Sequence, residues 1–153
     1  MNTVYLDTET TGLDADDEIV EITIIDDDEN ILIDTLVKPV NHTEWPSAEQ
    51  VHGISPMDVR NAPTQIEISD QIRNMVRDCR VVIYNAPYDR QYLSELEEST
   101  EIKCCMREFA EFNGSRWMSL ANAAEMVGYG EGDYHRALQD TLACRAVWKA
   151  IQY

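Results

Sequence analysis

Two carboxylates, Asp7 and Glu9, stand at the end of a short apolar run whose residue types favour a β-strand. Successive side chains of a strand alternate, so both acids point to the same side of it. Two like charges in a partly buried place require a cation or a shared proton. The pair therefore suggests a metal site.

The spacing of this pair is weak evidence by itself. The chain contains three Asp-x-Glu strings, Asp7/Glu9, Asp16/Glu18 and Asp27/Glu29, and its composition predicts roughly one by chance. The function of Asp7 must therefore be argued from the other residues that converge on it.

A third acid, Asp89, lies on a helix that the sequence predicts to open at Pro87. Residues three, four and seven positions further on form an apolar stripe: Tyr92, Leu93 and Leu96. A carboxylate in line with such a stripe is unfavourable unless a positive group compensates it.

The fourth acid, Asp140, repeats this pattern on the last predicted helix. Its face also carries apolar residues: Ala137, Cys144, Val147 and Trp148. Each acid could instead pair with a nearby Arg90 or Arg136, or cap a helix start, since structural ion pairs are common. A shared divalent-metal centre explains all four acids together.

His135 precedes Asp140 by five residues in a string of the form His-x-Ala-x-x-Asp. The composition predicts roughly 0.02 such strings by chance, so this signal is much sharper than Asp-x-Glu. A histidine here could be a helix-cap or surface residue. It could also be a base beside the metal, because an imidazole pKa of about 6.5 suits the activation of water.

The elements that must position these residues follow from hydrophobic periodicity. Strands are predicted over 3–8, 19–26, 31–38 and 81–84, with an acidic hairpin turn joining the second and third. Helices are predicted over 65–78, from Pro87, over 117–127 and over 136–151, and Ser47 with Gln50 suggests a capping box. The order predicts an α/β sheet, antiparallel on one side and parallel on the other.

Length and composition suggest one domain over 1–153. The net charge of −17 argues against a protein that coats duplex nucleic acid, although not against an enzyme that grips one strand end through metal ions. The four cysteines lack zinc spacing and are expected as reduced thiols. No apolar stretch approaches about 18 residues and no signal-peptide pattern opens the chain, so a cytosolic protein without membrane contact is expected.

Three segments in order carry a family resemblance: Asp7-Thr-Glu9-Thr-Thr-Gly-Leu, Asn85-Ala-Pro-Tyr-Asp89 and His135-Arg-Ala-Leu-Gln-Asp140. They resemble the three motifs of the DnaQ-like DEDDh exonucleases, which remove nucleotides from 3′ ends of DNA or RNA. The resemblance spans nearly the whole chain. It implies an RNase H-like fold, with a mixed five-stranded β-sheet flanked by α-helices.

The resemblance also implies roles for the acids. Asp7, Glu9 and Asp140 would bind two Mg²⁺ or Mn²⁺ ions, with Asp7 bridging them, and Asp89 would complete the site directly or through water. His135 would be the general base. Arg136 occupies the place where the sister DEDDy group has Tyr, which favours the histidine branch.

Contacts with the 3′ end are implied for Thr10, Leu13, His52, Asn85 and Tyr88. Leu13 would wedge near the last base, and Tyr88 matches an aromatic residue common before the second-motif Asp. One departure is visible, because many members have His directly before the motif-two Asn and this chain has Tyr84.

The residues leave alternatives open. The leading hypothesis is a 3′→5′ exonuclease acting on DNA and releasing nucleoside 5′-monophosphates. Alternatives are an exoribonuclease of the oligoribonuclease or RNase T type and a non-catalytic polymerase or repair partner of the same fold. A calcium-binding protein is a further alternative, based on the acidic run 14–18. This run lacks the glycine and the distal glutamate of an EF-hand, so a solvated loop that rims the active site is favoured.

The remaining candidates have ordinary structural explanations. The tryptophans Trp45, Trp117 and Trp148 are expected in the core rather than as base-stacking platforms. Glu21, on the second strand, is expected to be a structural partner. The candidate phosphate contacts are four arginines: Arg90, Arg107, Arg116 and Arg136.

Overall fold

The computed structural model describes residues 1–130 and 135–152. Its strands are β1 (Thr3–Thr10), β2 (Ile19–Asp26), β3 (Ile31–Leu36), β4 (Arg80–Ile83) and β5 (Glu101–Cys104). The helices are α1 (Pro46–His52), α2 (Gln65–Val76), α3 (Ala86–Arg90), α4 (Cys105–Asn113), α5 (Leu120–Met126) and α6 (Ala137–Ala150). A 3₁₀-helix spans Ser94–Glu98.

These strands form one mixed sheet in the order β3-β2-β1-β4-β5. The pairs β1–β2 and β2–β3 are antiparallel, whereas β1–β4 and β4–β5 are parallel. The predicted α/β sheet, antiparallel on one side and parallel on the other, is confirmed. Strand β1 is the central strand, so the side chains at its end have β2 on one side and the segment that follows β4 on the other.

The two faces of the sheet pack against different layers. On one face, Val4 and Leu6 of β1 join a core with α2 and the 3₁₀-helix. On the other, Tyr5 joins a core formed with α4, α5 and α6. Because side chains alternate along β1, Asp7 and Glu9 project on the Tyr5 side, toward the α4–α6 layer.

The prediction of one continuous helix from Pro87 through Leu96 is wrong. Helix α3 ends at Arg90, and the chain continues through a turn into the 3₁₀-helix. Leu93 and Leu96 are nevertheless buried, as is Asp89. The apolar surroundings of Asp89 thus come from a folded-back segment rather than from one helical stripe.

Other helix ends also differ from expectation. Helix α1 begins at Pro46 after Trp45 and has no side-chain cap, so the Ser47 capping box is wrong; Pro46 fits the first helical turn because it needs no N–H partner there. Helix α5 begins only at Leu120, where Ser119 accepts the N–H of Asn122.

The tryptophans divide into two groups. Trp45 and Trp148 are buried as expected, but Trp117 is 61% exposed, so its assignment to the core is wrong. Among the described helices, none combines the length and apolar composition required to cross a bilayer.

Candidate active site

The carboxylates predicted to act together meet at the end of β1. Asp7 and Glu9 come from the strand, and Asp140 comes from the first turn of α6. One oxygen from each of these three side chains lies within 4.8 Å of the others, and all three residues are half-buried. Three oxygen ligands at this spacing can share a metal ion.

Glu21 of β2 positions the start of α6 against this cluster. Its carboxylate is almost fully buried and accepts the Ala137 N–H at 2.9 Å and an Arg136 guanidinium N–H at 2.6 Å. Glu21 is therefore a structural partner, as predicted, and Arg136 balances its charge. This fixes the helix turn that carries Asp140.

A β-bulge falls beside the cluster. Glu9 pairs with Glu21, but the next residue of β1, Thr10, pairs with Ile19, so the register shifts between them. Bulges increase the local twist and redirect side chains, and they are frequent next to active sites. Here the shift lies at the junction between the acids and the turn that follows β1.

Asp89 approaches from α3 on a separate path. It is 3% exposed, and its Oδ1 accepts the Thr8 hydroxyl at 2.6 Å. Strand β1 thus binds Asp89 through Thr8 and presents Asp7 and Glu9 on its other side. The sequence did not identify Thr8 as a functional residue. The alternation of side chains along β1 places Asp7 and Glu9 on one side and gives no signal for the residue between them.

Burial and mutual repulsion raise the pKa values of three acids at this site. Burial raises the pKa of Asp7 well above its usual range, and Asp89, Asp140 and Glu9 raise it further. Burial together with Asp140 and Glu21 raises the pKa of Glu9 to about 9. Burial raises the pKa of Asp89 to about 7 despite the Thr8 hydrogen bond.

One atom shows how this charge can be balanced. Asp7 Oδ2 is buried and finds no hydrogen-bond donor among the described residues. Buried polar atoms are almost always paired, so an orphaned carboxylate oxygen indicates a missing positive group. The donors are carboxylate oxygens, which hard divalent cations prefer. The residues present therefore fit a divalent metal ion.

His135 lies at the entry to α6 with an exposed side chain. Its backbone N–H donates to both Asp140 oxygens, at 3.1 and 3.3 Å. Its φ of 91° is unusual for a residue with a side chain, and the Asp140 contact helps to hold it there. The backbone of His135 thus orients Asp140, and the general-base role of its ring stays a prediction.

A cleft of about 650 Å³ opens beside Glu9. Four of the five predicted substrate contacts line it: Thr10, Leu13, His52 and Tyr88. Asn85 does not line this cleft; its side chain is exposed immediately before α3. The acidic run borders the same space through Asp14 and Asp17, in line with its expected place at the rim.

The turn after β1 is held by hydroxyl groups. Thr10 Oγ1 donates to the Gly12 carbonyl at 2.6 Å, Tyr88 donates to the same carbonyl at 2.8 Å, and the two hydroxyls also contact each other. A Cβ on Gly12 would lie 2.4 Å from Asp17 Oδ2, so a larger residue there would displace the Asp17 side chain. Leu13, next in sequence, is left 83% exposed.

His52 is buried, and both ring nitrogens contact the backbone. Nδ1 accepts the Ile54 N–H at 3.0 Å, which leaves Nε2 to donate to the Thr10 carbonyl at 2.9 Å. Burial lowers the pKa of His52. Its ring joins the end of α1 to the end of β1. Val51, the preceding residue, also lines the cleft and is 57% exposed; the sequence alone gave no signal for it.

Comparison with known proteins defines the class. An exonuclease family model matches residues 4–147. An uncharacterized exonuclease of Escherichia phage 186 is 35% identical over 158 residues, covering 90% of this chain and 81% of that protein. The DNA polymerase III epsilon subunit of Rickettsia conorii is 32% identical over 109 residues, and that match covers 47% of its length.

Solved structures agree. Exonuclease X in complex with 5′ overhanging duplex DNA has a TM-score of 0.75 and 29% identity, covering 97% of this chain and 90% of that one. Exonuclease I has a TM-score of 0.80 at 17% identity, which supports the RNase H-like fold alone. The chain belongs to the DnaQ-like exonuclease family.

Proposed function

We propose that this chain is a divalent-metal-dependent 3′→5′ exonuclease that hydrolyses the terminal phosphodiester of DNA and releases nucleoside 5′-monophosphates. The observation that carries the proposal is the convergence of Asp7, Glu9 and Asp140, where a buried Asp7 oxygen has no donor among the residues that the structure describes. Carboxyl groups whose pKa values are raised by burial and by neighbouring acids, at the edge of a cleft, are typical of functional sites.

Asp7, Glu9 and Asp140 would hold the metal, with Asp7 shared between two ions and Asp89 contributing directly or through water. Mg²⁺ or Mn²⁺ suits the all-oxygen donor set. When bound, two such ions supply a nucleophilic water and stabilise charge on the leaving oxygen. They also offset the negative charge that four acids would present to a phosphate.

His135 would act as the general base. Water attacks the terminal phosphorus and one of its protons passes to the imidazole. The bond to the 3′ oxygen of the preceding nucleotide breaks, and that oxygen takes up a proton from solvent as the 3′-hydroxyl of the shortened strand. An exposed imidazole at the α6 entrance can exchange that proton with solvent after each cycle. The contact between its backbone N–H and Asp140 ties the base to one of the proposed metal ligands.

The cleft would receive the terminal nucleotide. Leu13 and Val51 offer exposed aliphatic surface to a base, and Leu13 could wedge against it. The bonded Thr10 and Tyr88 hydroxyls fix the turn that carries Leu13. His52 donates to the Thr10 carbonyl at the start of the same turn. We therefore propose that His52 helps to hold the scissile end indirectly, by positioning Thr10. Asn85 would contact the scissile end from outside the cleft.

DNA is favoured as the polymer because exonuclease X, the solved structure at 29% identity, was determined with DNA. The similarity to an epsilon subunit also makes a polymerase or repair complex a reasonable setting. A non-catalytic role in such a complex is disfavoured because the acids and His135 are all retained.

The test uses single-stranded DNA, 5′-overhang duplex DNA and RNA of equal length, each labelled at the 5′ end, with Mg²⁺, Mn²⁺ or EDTA. We expect a ladder that shortens from the 3′ end, abolished by EDTA and by His135→Ala. Asp28→Ala, which changes an exposed hairpin acid, is the matched control and should retain full activity. Shortening in EDTA, or a labelled mononucleotide as the first product, would contradict the proposal. Preferential loss of RNA would transfer it to the exoribonuclease class.

A further inference from the structure

An exposed aromatic residue on the α4–α5 side has no part in the site described so far. Trp117 is 61% exposed, and the guanidinium of Arg107 lies 5.1 Å from its ring centroid. Within the described ranges, no carboxylate forms an ion pair with Arg107. A flat aromatic face beside an unpaired cation is therefore open to solvent.

Tyr84 attaches both residues to the catalytic edge of the sheet. Its carbonyl accepts the Met106 N–H at 2.8 Å, and its hydroxyl donates to the Met118 carbonyl at 2.7 Å. Met106 and Met118 are the direct neighbours of Arg107 and Trp117. The residue that departs from the family motif thus fixes the segment that carries the pair.

The sheet register places this anchor at the same end of the sheet as the proposed metal ligands. Tyr5 and Val82 form the last pair of the parallel β1–β4 ladder, and Asp7 and Tyr84 each follow two residues later along the chain. Both side chains project toward the α4–α6 layer. Tyr84 therefore connects the segments that carry Trp117 and Arg107 to the end of the sheet where β1 presents Asp7.

We propose that Trp117 and Arg107 form a stacking platform for the single strand that leads into the active site. A base would stack on the indole while the guanidinium contacts a phosphate, the combination that single-strand-binding surfaces use without sequence preference. Such a contact is valuable in a chain of net charge −17, which has little basic surface to hold a polyanion. The proposal rests on the proposed exonuclease function.

A protein-docking surface is the competing explanation. Phe112, at the far end of α4, and Met126 of α5 are also exposed, at 63% and 57%. An apolar docking patch would use these residues together with Trp117. A nucleic-acid platform would depend on Trp117 and Arg107 and would be indifferent to Phe112, which makes Phe112→Ala the matched control.

The experiment compares kcat/KM for two substrates, the dinucleotide dT2 and the oligonucleotide dT12, with Mg²⁺. Trp117→Ala should lower kcat/KM for dT12 by about 5- to 100-fold, as expected for one lost base stack, and should leave dT2 unchanged. Trp117→Phe should restore most of the loss and Phe112→Ala should have no effect. Tyr84→Phe, which removes the anchoring hydroxyl, should raise KM for dT12 but not for dT2.

Tryptophan fluorescence gives a readout independent of cleavage. In EDTA, dT12 should quench the exposed Trp117 emission, and Trp117→Ala should lose that quenching, because Trp45 and Trp148 are buried. Equal kcat/KM for wild type and Trp117→Ala on dT12 would overturn the platform, as would self-association that both Trp117→Ala and Phe112→Ala abolish while dT12 binding persists. If wild type cleaves neither substrate, the exonuclease proposal fails, and the quenching then decides the platform by itself.

Discussion

Among the described residues, two clusters of three acids each bring carboxylate oxygens close together, in opposite surroundings. Asp7, Glu9 and Asp140 are half-buried at the end of β1, whereas the rim cluster, Asp14, Asp16 and Asp17, lies mostly in solvent. In both clusters the nearest oxygens lie within 4.8 Å of one another. Distance alone does not distinguish a catalytic site from a solvated loop.

The rim cluster is satisfied by its own loop. Asp17 accepts the Thr11 hydroxyl at 2.7 Å and the Asp14 N–H at 2.9 Å. Burial by itself would raise the pKa of the neighbouring Glu18. Hydrogen bonds from His42 and from two backbone N–H groups outweigh that effect and lower the pKa of Glu18. Asp17 and Glu18 thus obtain hydrogen-bond donors from the protein itself.

In the cluster at the end of β1, one buried carboxylate oxygen finds no such donor among the described residues. That atom is Asp7 Oδ2, and the pKa of Glu9 is raised to about 9. The two clusters therefore differ in the free energy of burying charge. At the end of β1, burial of Asp7 and Glu9 disfavours their charged forms. Four predictions test this difference.

The largest expected effect comes from removing one acid from each cluster. Asp7→Ala should lower kcat by about 10³-fold or more because the site loses its shared ligand. Asp16→Ala removes an exposed carboxylate and should leave kcat within about twofold. Steady-state cleavage of 5′-labelled DNA measures both, and similar losses in the two variants would erase the distinction.

The second prediction concerns Thr8, which donates to Asp89. Thr8→Val should lower kcat/KM by about 10- to 100-fold, as is typical when a hydrogen bond that orients a metal ligand is lost. The Asp89 pKa should rise further, so the acid limb of the pH–rate profile should move to higher pH. Thr64→Val, which removes the α2 cap, should cost stability but leave the profile in place; an unchanged profile in Thr8→Val would refute the role.

The third prediction is a pH dependence of the metal-free protein. The folded-state pKa values of Asp7, Glu9 and Asp89 are raised above their unfolded values, so the folded state binds more protons between about pH 5 and 9. Stability in EDTA should therefore fall as the pH rises through this range. Asp7→Asn should raise the metal-free Tm at pH 8 by a few degrees, and added Mg²⁺ should stabilise wild type more at pH 8 than at pH 5.

A fall in metal-free stability toward pH 5, or a lower Tm in Asp7→Asn at pH 8, would contradict this account. Asp16→Asn is the matched control, since neutralising an exposed acid should change the Tm by less than about one degree.

The smallest effect is expected at the rim. Gly12→Ala would place a Cβ 2.4 Å from Asp17 Oδ2 and break the Asp17 hydrogen bonds, at a cost of about 1 kcal/mol. KM should rise a few-fold through the displaced Leu13, with kcat nearly unchanged. Gly130→Ala, whose Cβ would meet no described atom within 4 Å, should behave as wild type in thermal melts and kinetics.

The sequence was sufficient for the parts of the site that follow regular geometry. Alternation along β1 put Asp7 and Glu9 on one side, and the apolar face of α6 directed Asp140 toward them. The sheet order also agreed with the expected mix of antiparallel and parallel pairs.

Features that depend on tertiary contacts could not be predicted. The bond from Thr8 to Asp89 joins residues 81 positions apart, and no local pattern encodes it. Trp117 is exposed because Gly114, with φ of 65°, ends α4 and Ser119 caps α5, which leaves the segment between them outside any helix. The sequence instead predicted a helix that begins at Trp117, and the usual burial of tryptophan placed the indole in the core.

Calorimetric titration of Mn²⁺ into metal-free protein determines whether the metal binds at the end of β1 or at the rim. We expect binding of two ions to wild type, loss of that binding in Asp7→Ala, and wild-type binding in Asp14→Ala/Asp16→Ala. Wild-type Mn²⁺ binding in Asp7→Ala, combined with its loss in Asp14→Ala/Asp16→Ala, would place the metal at the rim and contradict the account.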